Sequence, residues 1–187
     1  PTLTGCTFTS NSAFFGGGGM SNWYSSPDLT NCSFTGNSAL YGNVNISWIP
    51  IPGGGGMYNR SSSPTLANCT FTSNLTNIVG GGMYNEFSSN PNLNSCTFTN
   101  NSADSGGGMT NEGSSPTLTG CNFCGNTSTS GNRNINGDAI DGSSSGNLLL
   151  LNCNTGDVNF DLAINSGDLG YLLALWGASS VLNADIN

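Results

Sequence analysis

The chain has 187 residues and a formal net charge of −8, from ten acidic side chains and two arginines, with no lysine and no histidine. Nucleic acids and anionic membrane surfaces are bound through lysine and arginine, so we expect no nucleic-acid partner. No apolar run reaches about 18 residues, which predicts no membrane insertion. Histidine and lysine supply most general bases and amine nucleophiles, so this composition favours a protein that is not an enzyme.

An eleven-residue motif recurs five times along the chain. Its copies are PTLTGCTFTSN, PDLTNCSFTGN, PTLANCTFTSN, PNLNSCTFTNN and PTLTGCNFCGN, which begin at Pro1, Pro27, Pro64, Pro91 and Pro116. A glycine run with Met-x-Asn follows each of the first four, and the degenerate NGDAID at 136–141 takes its place in the fifth. A sixth unit is expected at LLNCN, with Leu150 and Cys153 in the Leu and Cys positions. Such a period predicts a solenoid.

Within one unit, the spacing of apolar residues indicates short strands. Cys6 and Phe8 are two residues apart and share a face, while Thr7 points to the other face. The asparagine three residues after Phe8 marks a turn that tolerates left-handed backbone, and the methionine after the glycines points inward. So few apolar residues per unit form a core only when units stack in parallel. We therefore predict an all-β parallel β-helix of five to six coils over residues 1–153.

Stacking places the asparagines of successive units in two ladders, whose amides hydrogen-bond along the axis. The first ladder is Asn11, Asn37, Asn74, Asn101 and Asn126, and the second is Asn22, Asn59, Asn85 and Asn111, continued by Asp141. The glycine run returns in each unit, whereas a phosphate-binding loop occurs once in a domain. The glycines are therefore interpreted as part of each coil.

These motifs resemble the Phe-x-x-Asn and Gly-Gly-Ala-Ile repeats of the chlamydial polymorphic outer-membrane proteins and related bacterial surface proteins. The first motif is Phe8 to Asn11 and its copies, and the second is Gly-Gly-Met here. The resemblance covers residues 1 to about 153. It implies a right-handed parallel β-helix at the cell surface or in the extracellular space. Function transfers less directly, because this scaffold serves adhesins, structural fibres and polysaccharide lyases.

The second unit contains an insertion at 42–52 with alternating apolar residues. It is either a loop folded back on the rod or an apolar protrusion that contacts another chain or a ligand. Its candidate assembly residues are Val44, Ile46, Trp48, Ile49 and Ile51.

Six of the seven cysteines fall at one position of the repeat, which predicts an interior stack: Cys6, Cys32, Cys69, Cys96, Cys121 and Cys153. They are interpreted as small buried thiols, with disulfides between neighbouring coils as the alternative, although parallel Cβ directions make that geometry poor. Cys121 and Cys124 face opposite sides of a strand, and no second pair or histidine completes a zinc site.

Four Asn-x-Ser/Thr sequons lie where a glycan could be carried, if the source glycosylates. Asn31, Asn68 and Asn100 are expected on the outer surface, and Asn45 lies in the insertion.

Residues 154–187 form an acidic tail in which oxygen ligands are spaced as in a twelve-residue calcium loop. The candidate ligands are the side chains of Asp157, Asn159, Asp161, Asn165 and Asp168 and the carbonyl of Ala163. Leu169 to Trp176 then follow at helical spacing. The segment resembles the first half of a dockerin-type calcium repeat with its second half truncated, although Phe160 and Leu162 replace the usual turn residues. The alternative interpretation is that the helix, with Leu172 and Trp176, only caps the last coil.

The expected function is a non-enzymatic extracellular structural subunit that assembles into a homo-oligomer or filament. The first coil is expected to leave Leu3, Cys6, Phe8 and Met20 open, and a head-to-tail contact does not close on itself. The alternative is a monomeric adhesin or carbohydrate-binding stalk anchored by the dockerin-like tail. A catalytic pair of Asp138 and Asp141 beside Arg133 is a third and weaker interpretation.

Overall fold

The computed structural model describes residues 1–40, 53–130, 132–138, 142 and 144–150. All regular elements in these residues are short parallel β-strands, and each strand pairs with the equivalent strand of the next coil. The chain therefore winds into a parallel β-solenoid of about five turns, which confirms the predicted fold class. The predicted C-terminal helical cap, the insertion 42–52 and the tail 154–187 lie outside the described residues.

Four parallel sheets run along the rod; three are named by the residue that they turn inward, and the fourth by the length of its strands. The leucine sheet contains β1 (Thr2–Thr4), β5 (Asp28–Thr30), β9 (Thr65–Ala67), β13 (Asn92–Asn94) and β17 (Thr117–Thr119). The phenylalanine sheet contains β2 (Thr7–Thr9), β6 (Ser33–Thr35), β10 (Thr70–Thr72), β14 (Thr97–Thr99), β18 (Asn122–Cys124) and β21 (Leu148–Leu150).

In each coil, the strands of the other two sheets come after the phenylalanine strand. The short sheet, whose strands have two residues each, contains β3 (Ser12–Ala13), β7 (Ser38–Ala39), β11 (Leu75–Thr76), β15 (Ser102–Ala103) and β19 (Thr127–Ser128). The methionine sheet contains β4 (Met20–Trp23), β8 (Met57–Arg60), β12 (Met83–Glu86), β16 (Met109–Glu112) and β20 (Ile135–Gly137).

Identical apolar side chains stack in register along the axis and form the core. The rings of the phenylalanine sheet lie face to face, with centroids 4.5 to 4.7 Å apart and planes within 3° of parallel. Leucines pair with leucines and methionines with methionines in the neighbouring sheets. Each coil thus buries its few apolar residues against the same residues of its neighbours, as the repeat predicts.

The glycine run lies where the chain passes so close to the next coil that no side chain has room. A Cβ built on Gly55 would lie 2.3 Å from the carbonyl oxygen of Gly81. One built on Gly82 would lie 2.5 Å from the carbonyl oxygen of Gly108. The contact atoms are backbone, so they cannot move aside as a flexible side chain would. The glycines are therefore required by close packing between coils.

The turn before each first-ladder asparagine contains a left-handed residue. The left-handed residue is the one that precedes the asparagine, for example Ser73 (φ 54°) before Asn74 and Gly36 (φ 62°) before Asn37. The turn thus has the predicted left-handed backbone, one residue before the asparagine that marks it. A second left-handed position follows each leucine strand, as at Asn31 and Asn68.

The sixth unit is aligned differently from the prediction. Strand β21 pairs with β18 so that Leu149 lies opposite Phe123, and the amide N–H of Cys121 donates to the side-chain oxygen of Asn147 at 2.8 Å. Asn147 therefore occupies the cysteine position of this coil, and the assignment of Leu150 and Cys153 to the Leu and Cys positions is wrong. The chain returns to the stack earlier than the letters LLNCN indicate.

Candidate binding surface

The first asparagine ladder lies in the turn between the phenylalanine sheet and the short sheet. Each side chain uses both ends of its amide. The Asn74 oxygen accepts from the backbone N–H and the side-chain amide of Asn37, both at 3.0 Å. Its own amide donates to the oxygen of Asn101 and to the backbone carbonyl of Phe34, both at 2.9 Å. Asn11 and Asn126 join the same chain of bonds at its two ends.

The second ladder lies inside the strands of the methionine sheet and has fewer bonds. The amide of Asn22 donates to Asn59, that of Asn59 to Asn85 and that of Asn85 to Asn111, at 2.8 to 3.0 Å. Beyond Asn111, the register places Gly137 opposite it. The Asn111 amide instead donates to a backbone carbonyl, that of Asp138, at 3.4 Å.

Asp141 was expected to continue this ladder, and it lies outside the described residues. Since Gly137 already occupies the ladder position, the expected continuation at Asp141 does not agree with the register of β20. Of the proposed catalytic residues, Asp138 accepts a hydrogen bond from the backbone N–H of Gly113 through its carboxylate. Arg133 is exposed. The described residues thus give Asp138 a structural contact in the turn.

The five stacked cysteines of the described coils are free thiols: Cys6, Cys32, Cys69, Cys96 and Cys121. Each of the last four donates to the carbonyl of the leucine in the preceding coil, as Cys69 does to Leu29 at 3.7 Å. Burial raises the pKa of the Cys32 thiol. Cys124 is disulfide-bonded, and its partner is none of these five thiols.

The remaining predicted site residues divide into two groups. Asn31, Asn68 and Asn100 are exposed at turns, where a glycan could be attached. The others lie outside the described residues: Asn45, the insertion residues Val44, Ile46, Trp48, Ile49 and Ile51, the tail residues Leu172 and Trp176, and the calcium set Asp157, Asn159, Asp161, Ala163, Asn165 and Asp168. Within the described ranges, no three acidic, cysteine or histidine side chains are grouped to hold a metal ion.

One surface was not predicted, and it lies on the outer side of the methionine sheet. The residue after each second-ladder asparagine faces away from the core, and these residues pair along the axis in the order Trp23, Arg60, Glu86 and Glu112. Together with Tyr24 and Phe87, which follow two of them, they form what we call the aromatic corner.

Arg60 is the cation of the aromatic corner. Its guanidinium lies 2.8 Å from the Glu86 carboxylate and sits between two rings, with its carbon 5.3 Å from the Trp23 centroid and 4.3 Å from the Phe87 centroid. A guanidinium is attracted to the faces of aromatic rings. Arg60 therefore fixes both the carboxylate and the two rings.

Two tyrosines form hydrogen bonds with the carboxylates of Glu86 and Glu112. The buried Tyr58 hydroxyl donates to Glu86, and the buried Tyr84 hydroxyl lies 2.6 Å from Glu112 and 3.0 Å from Glu86. Burial, helped by the hydrogen bond to Glu86, raises the pKa of Tyr58 to about 12. Burial, helped by the hydrogen bond to Glu112, also raises the pKa of Tyr84. Both tyrosines therefore stay protonated and act as donors.

At the Phe87 side of the aromatic corner lies an open, shallow depression of about 280 Å³, lined by Glu86, Phe87, Ser88, Glu112 and Gly113. It offers an aromatic wall, two carboxylates and a serine hydroxyl on an otherwise regular rod. Such a mixture of apolar surface and a few fixed polar groups is typical of small-ligand sites.

Two signals in the sequence could have found the missed features. The aromatic corner occupies one repeat position, the residue after Met-x-Asn, although its residue type changes from coil to coil. A serine two residues before each later proline marks a third polar ladder. The backbone N–H of Ser25 donates to the Ser62 hydroxyl, Ser62 to Ser89, and Ser89 to Ser114, each at 3.0 Å.

The stacked coils and their ladders define a parallel β-solenoid with a solvent-facing polar and aromatic corner. Residues 1–164 match the family described as right handed beta helix region, and the chain belongs to this family. The match confirms the predicted right-handed β-helix. No curated protein and no solved structure matches the chain. The described residues contain no helix of the length and hydrophobicity that crossing a bilayer requires.

Proposed function

We propose that the protein is a non-enzymatic structural protein of the extracellular space or cell surface, whose rods associate head to tail into a filament. The observation that carries this proposal is the self-complementarity of the coils. Each of the first five coils carries its Phe ring and its Asn amide at the same position of the stack. The edge of one rod is therefore complementary to the opposite edge of another copy.

The first described coil illustrates such an edge. Leu3, Phe8 and Met20 are only partly buried, although they pack on the core. Asn11 donates to Asn37 on one side only. Another copy bound at such an edge would complete the packing of these side chains. Because the two contacting surfaces differ, the association does not close and propagates as a filament.

The resemblance to chlamydial polymorphic outer-membrane proteins and related bacterial surface proteins supports an extracellular or surface location. The insertion 42–52 and residues Leu172 and Trp176 are proposed as additional assembly contacts. The dockerin-like tail is proposed to bind calcium through the residues from Asp157 to Asp168.

A second candidate function is a monomeric adhesin or carbohydrate-binding stalk. The aromatic corner favours it, because exposed aromatic side chains beside fixed carboxylates serve no purpose in stacking coils. In this alternative the rod only spaces a binding surface from its anchor.

Electron microscopy of the purified 187-residue chain tests filament assembly. We expect filaments with a regular axial repeat, and Phe8→Lys should abolish them by placing a charge on the open edge. Thr2→Lys, on the exposed outer face of the same coil, should assemble normally. Uniform short rods in the unmodified protein at high concentration would overturn the proposal.

Thermal unfolding with and without a chelator tests the calcium site. We expect calcium to raise the melting temperature of the full chain and EDTA to reverse the effect. An Asp157→Asn and Asp161→Asn double variant should not respond to calcium. A melting temperature that is the same in calcium and EDTA for the unmodified chain contradicts the site.

A further inference from the structure

The aromatic corner exposes three large aromatic side chains in two coils of the rod. Trp23 is 51% exposed, Tyr24 81% and Phe87 57%. Arg60 lies between Trp23 and Phe87 and holds their rings at fixed positions. Large aromatic surface left in water next to a depression is typical of a binding site.

The backbone at these residues is also unusual. Tyr24 and Phe87 have φ values of 48° and 53°, in the left-handed region that bulky residues avoid. The residue at the same place in the following coil is Gly113, with φ 58°. Glycine is the usual choice at such a position. The coil can therefore turn here without an aromatic side chain, and the fold does not require Tyr24 or Phe87.

The polar groups of the depression are fixed before any ligand arrives. Glu86 is held by Arg60 and Tyr58, and Glu112 by Tyr84. The Glu112 carboxylate is exposed beside Phe87 and Ser88. Carboxylates in fixed positions accept strong hydrogen bonds from hydroxyl and ammonium groups.

We propose that the aromatic corner binds a glycan built of hexoses that are neutral or carry amino groups. The C–H face of a hexose ring stacks on the ring of Phe87, since both surfaces are apolar. The hydroxyl or amino groups at the edge of the same hexose donate to the exposed Glu112, and the buried Glu86 adds a second negative charge beside it. Trp23 and Tyr24 lie together in one coil, two coils away from Phe87 along the axis, and contact the neighbouring sugars of the chain.

The negative charge of the chain and of the depression disfavours the binding of acidic glycans. The chain carries a net charge of −8, and the depression is lined by two carboxylates of which only Glu86 has an arginine partner among the described residues. A uronate or sulfate group would be placed beside Glu112 and repelled. An amino group would instead be attracted. The site is therefore selective for uncharged and cationic sugars.

The inference rests on the second of the two proposed functions and not on filament assembly. Isothermal titration calorimetry of the full chain, kept in solution as separate rods, provides the test. The probes are cellohexaose, a glucosamine hexamer and hexagalacturonate. We expect binding of the first two and none of the third. Phe87→Ala should weaken binding at least tenfold, while Phe87→Tyr should keep it.

Phe14→Ala removes an exposed aromatic side chain that lies outside the aromatic corner and is the matched control. It should bind as the unmodified chain does. Glu112→Gln should weaken the glucosamine hexamer about tenfold more than cellohexaose, because only the amine gains from the full charge. Circular dichroism confirms the fold of each variant. Absence of binding to both expected probes, binding that Phe87→Ala leaves unchanged, or preference for hexagalacturonate would overturn the proposal, whether or not filaments form.

Discussion

The two asparagine ladders consist of the same residue at the same spacing, but their side chains form different sets of hydrogen bonds. In the first ladder the Asn74 side chain forms four hydrogen bonds, two of them to backbone groups. In the second ladder Asn85 forms two, both to other asparagines. The difference follows from position. Asn74 lies in a turn, where backbone groups lack sheet partners, whereas Asn85 lies within β12, whose backbone is already paired.

A ladder in a turn thus replaces the sheet hydrogen bonds that the backbone loses there. A ladder within a strand adds only side-chain bonds. Apart from the exposed Asn11, the ladder asparagines are buried, so each missing partner carries the cost of an unsatisfied polar group. The stability lost on substitution of a ladder asparagine should therefore increase with the number of polar groups that lose their hydrogen-bond partner.

The largest effect is expected for Asn74→Ala, which removes the partners of two Asn37 donors and of the Phe34 carbonyl. We expect the free energy of unfolding to fall by about 4 kcal/mol, near the upper end for single substitutions. Urea denaturation followed by circular dichroism measures it. Asn92→Ala, at an exposed strand position, should change stability by less than about 0.5 kcal/mol. A smaller loss for Asn74→Ala than for Asn85→Ala would contradict the comparison.

The glycine run supports the first ladder directly, since a Cβ on Gly82 would lie 3.3 Å from the Asn101 amide and 2.7 Å from the Phe98 ring. It would also lie 2.5 Å from the Gly108 carbonyl oxygen. We expect Gly82→Ala to cost about 3 kcal/mol by forcing two coils apart. In Gly113→Ala the added Cβ meets nothing within 4 Å at φ 58°, so only the left-handed conformation costs energy, about 1 kcal/mol. A loss for Gly82→Ala no larger than that for Gly113→Ala would show that lack of space between coils does not require Gly82.

Substitutions in the second ladder should lower the free energy of unfolding less than those in the first. Asn85→Ala leaves the Asn59 amide and the Asn111 oxygen without this partner, and we expect a loss of about 2 kcal/mol. Asn85→Asp keeps the shape but offers no donor to Asn111 and buries a charge. It should be less stable than Asn85→Ala. If the aspartate variant is the more stable of the two, the amide donor is not what holds this ladder.

Prediction from the sequence succeeds where the same residue type recurs at one position of the repeat, and it fails where different residue types share that position. Leu, Phe, Met and Asn each recur at one repeat position, so parallel stacking places like residues together. Cys153 and Asp141 were assigned by letter, whereas the register places Asn147 and Gly137 at those positions. Backbone pairing decides the register, and one degenerate coil does not reveal it.

The aromatic corner was missed for the same reason. Trp23, Arg60, Glu86 and Glu112 share a repeat position but no chemistry, so a search for recurring letters passes over them. Only their contacts across coils, such as Arg60 between two rings, give them a common role.

The smallest effect concerns the outer side of the methionine sheet, opposite the second ladder. Because the pKa of Tyr58 rises from 10.0 to about 12, its protonated form is favoured in the folded state. This contribution is complete below pH 10 and is lost as the pH rises through about 12. We expect the unmodified chain to lose about 1 kcal/mol more than Tyr58→Phe between pH 9 and pH 11, at roughly 1.4 kcal/mol per pH unit above 10. Urea denaturation at both pH values measures the difference. Parallel losses in the two proteins would mean that burial and the hydrogen bond to Glu86 do not keep Tyr58 protonated in the folded state.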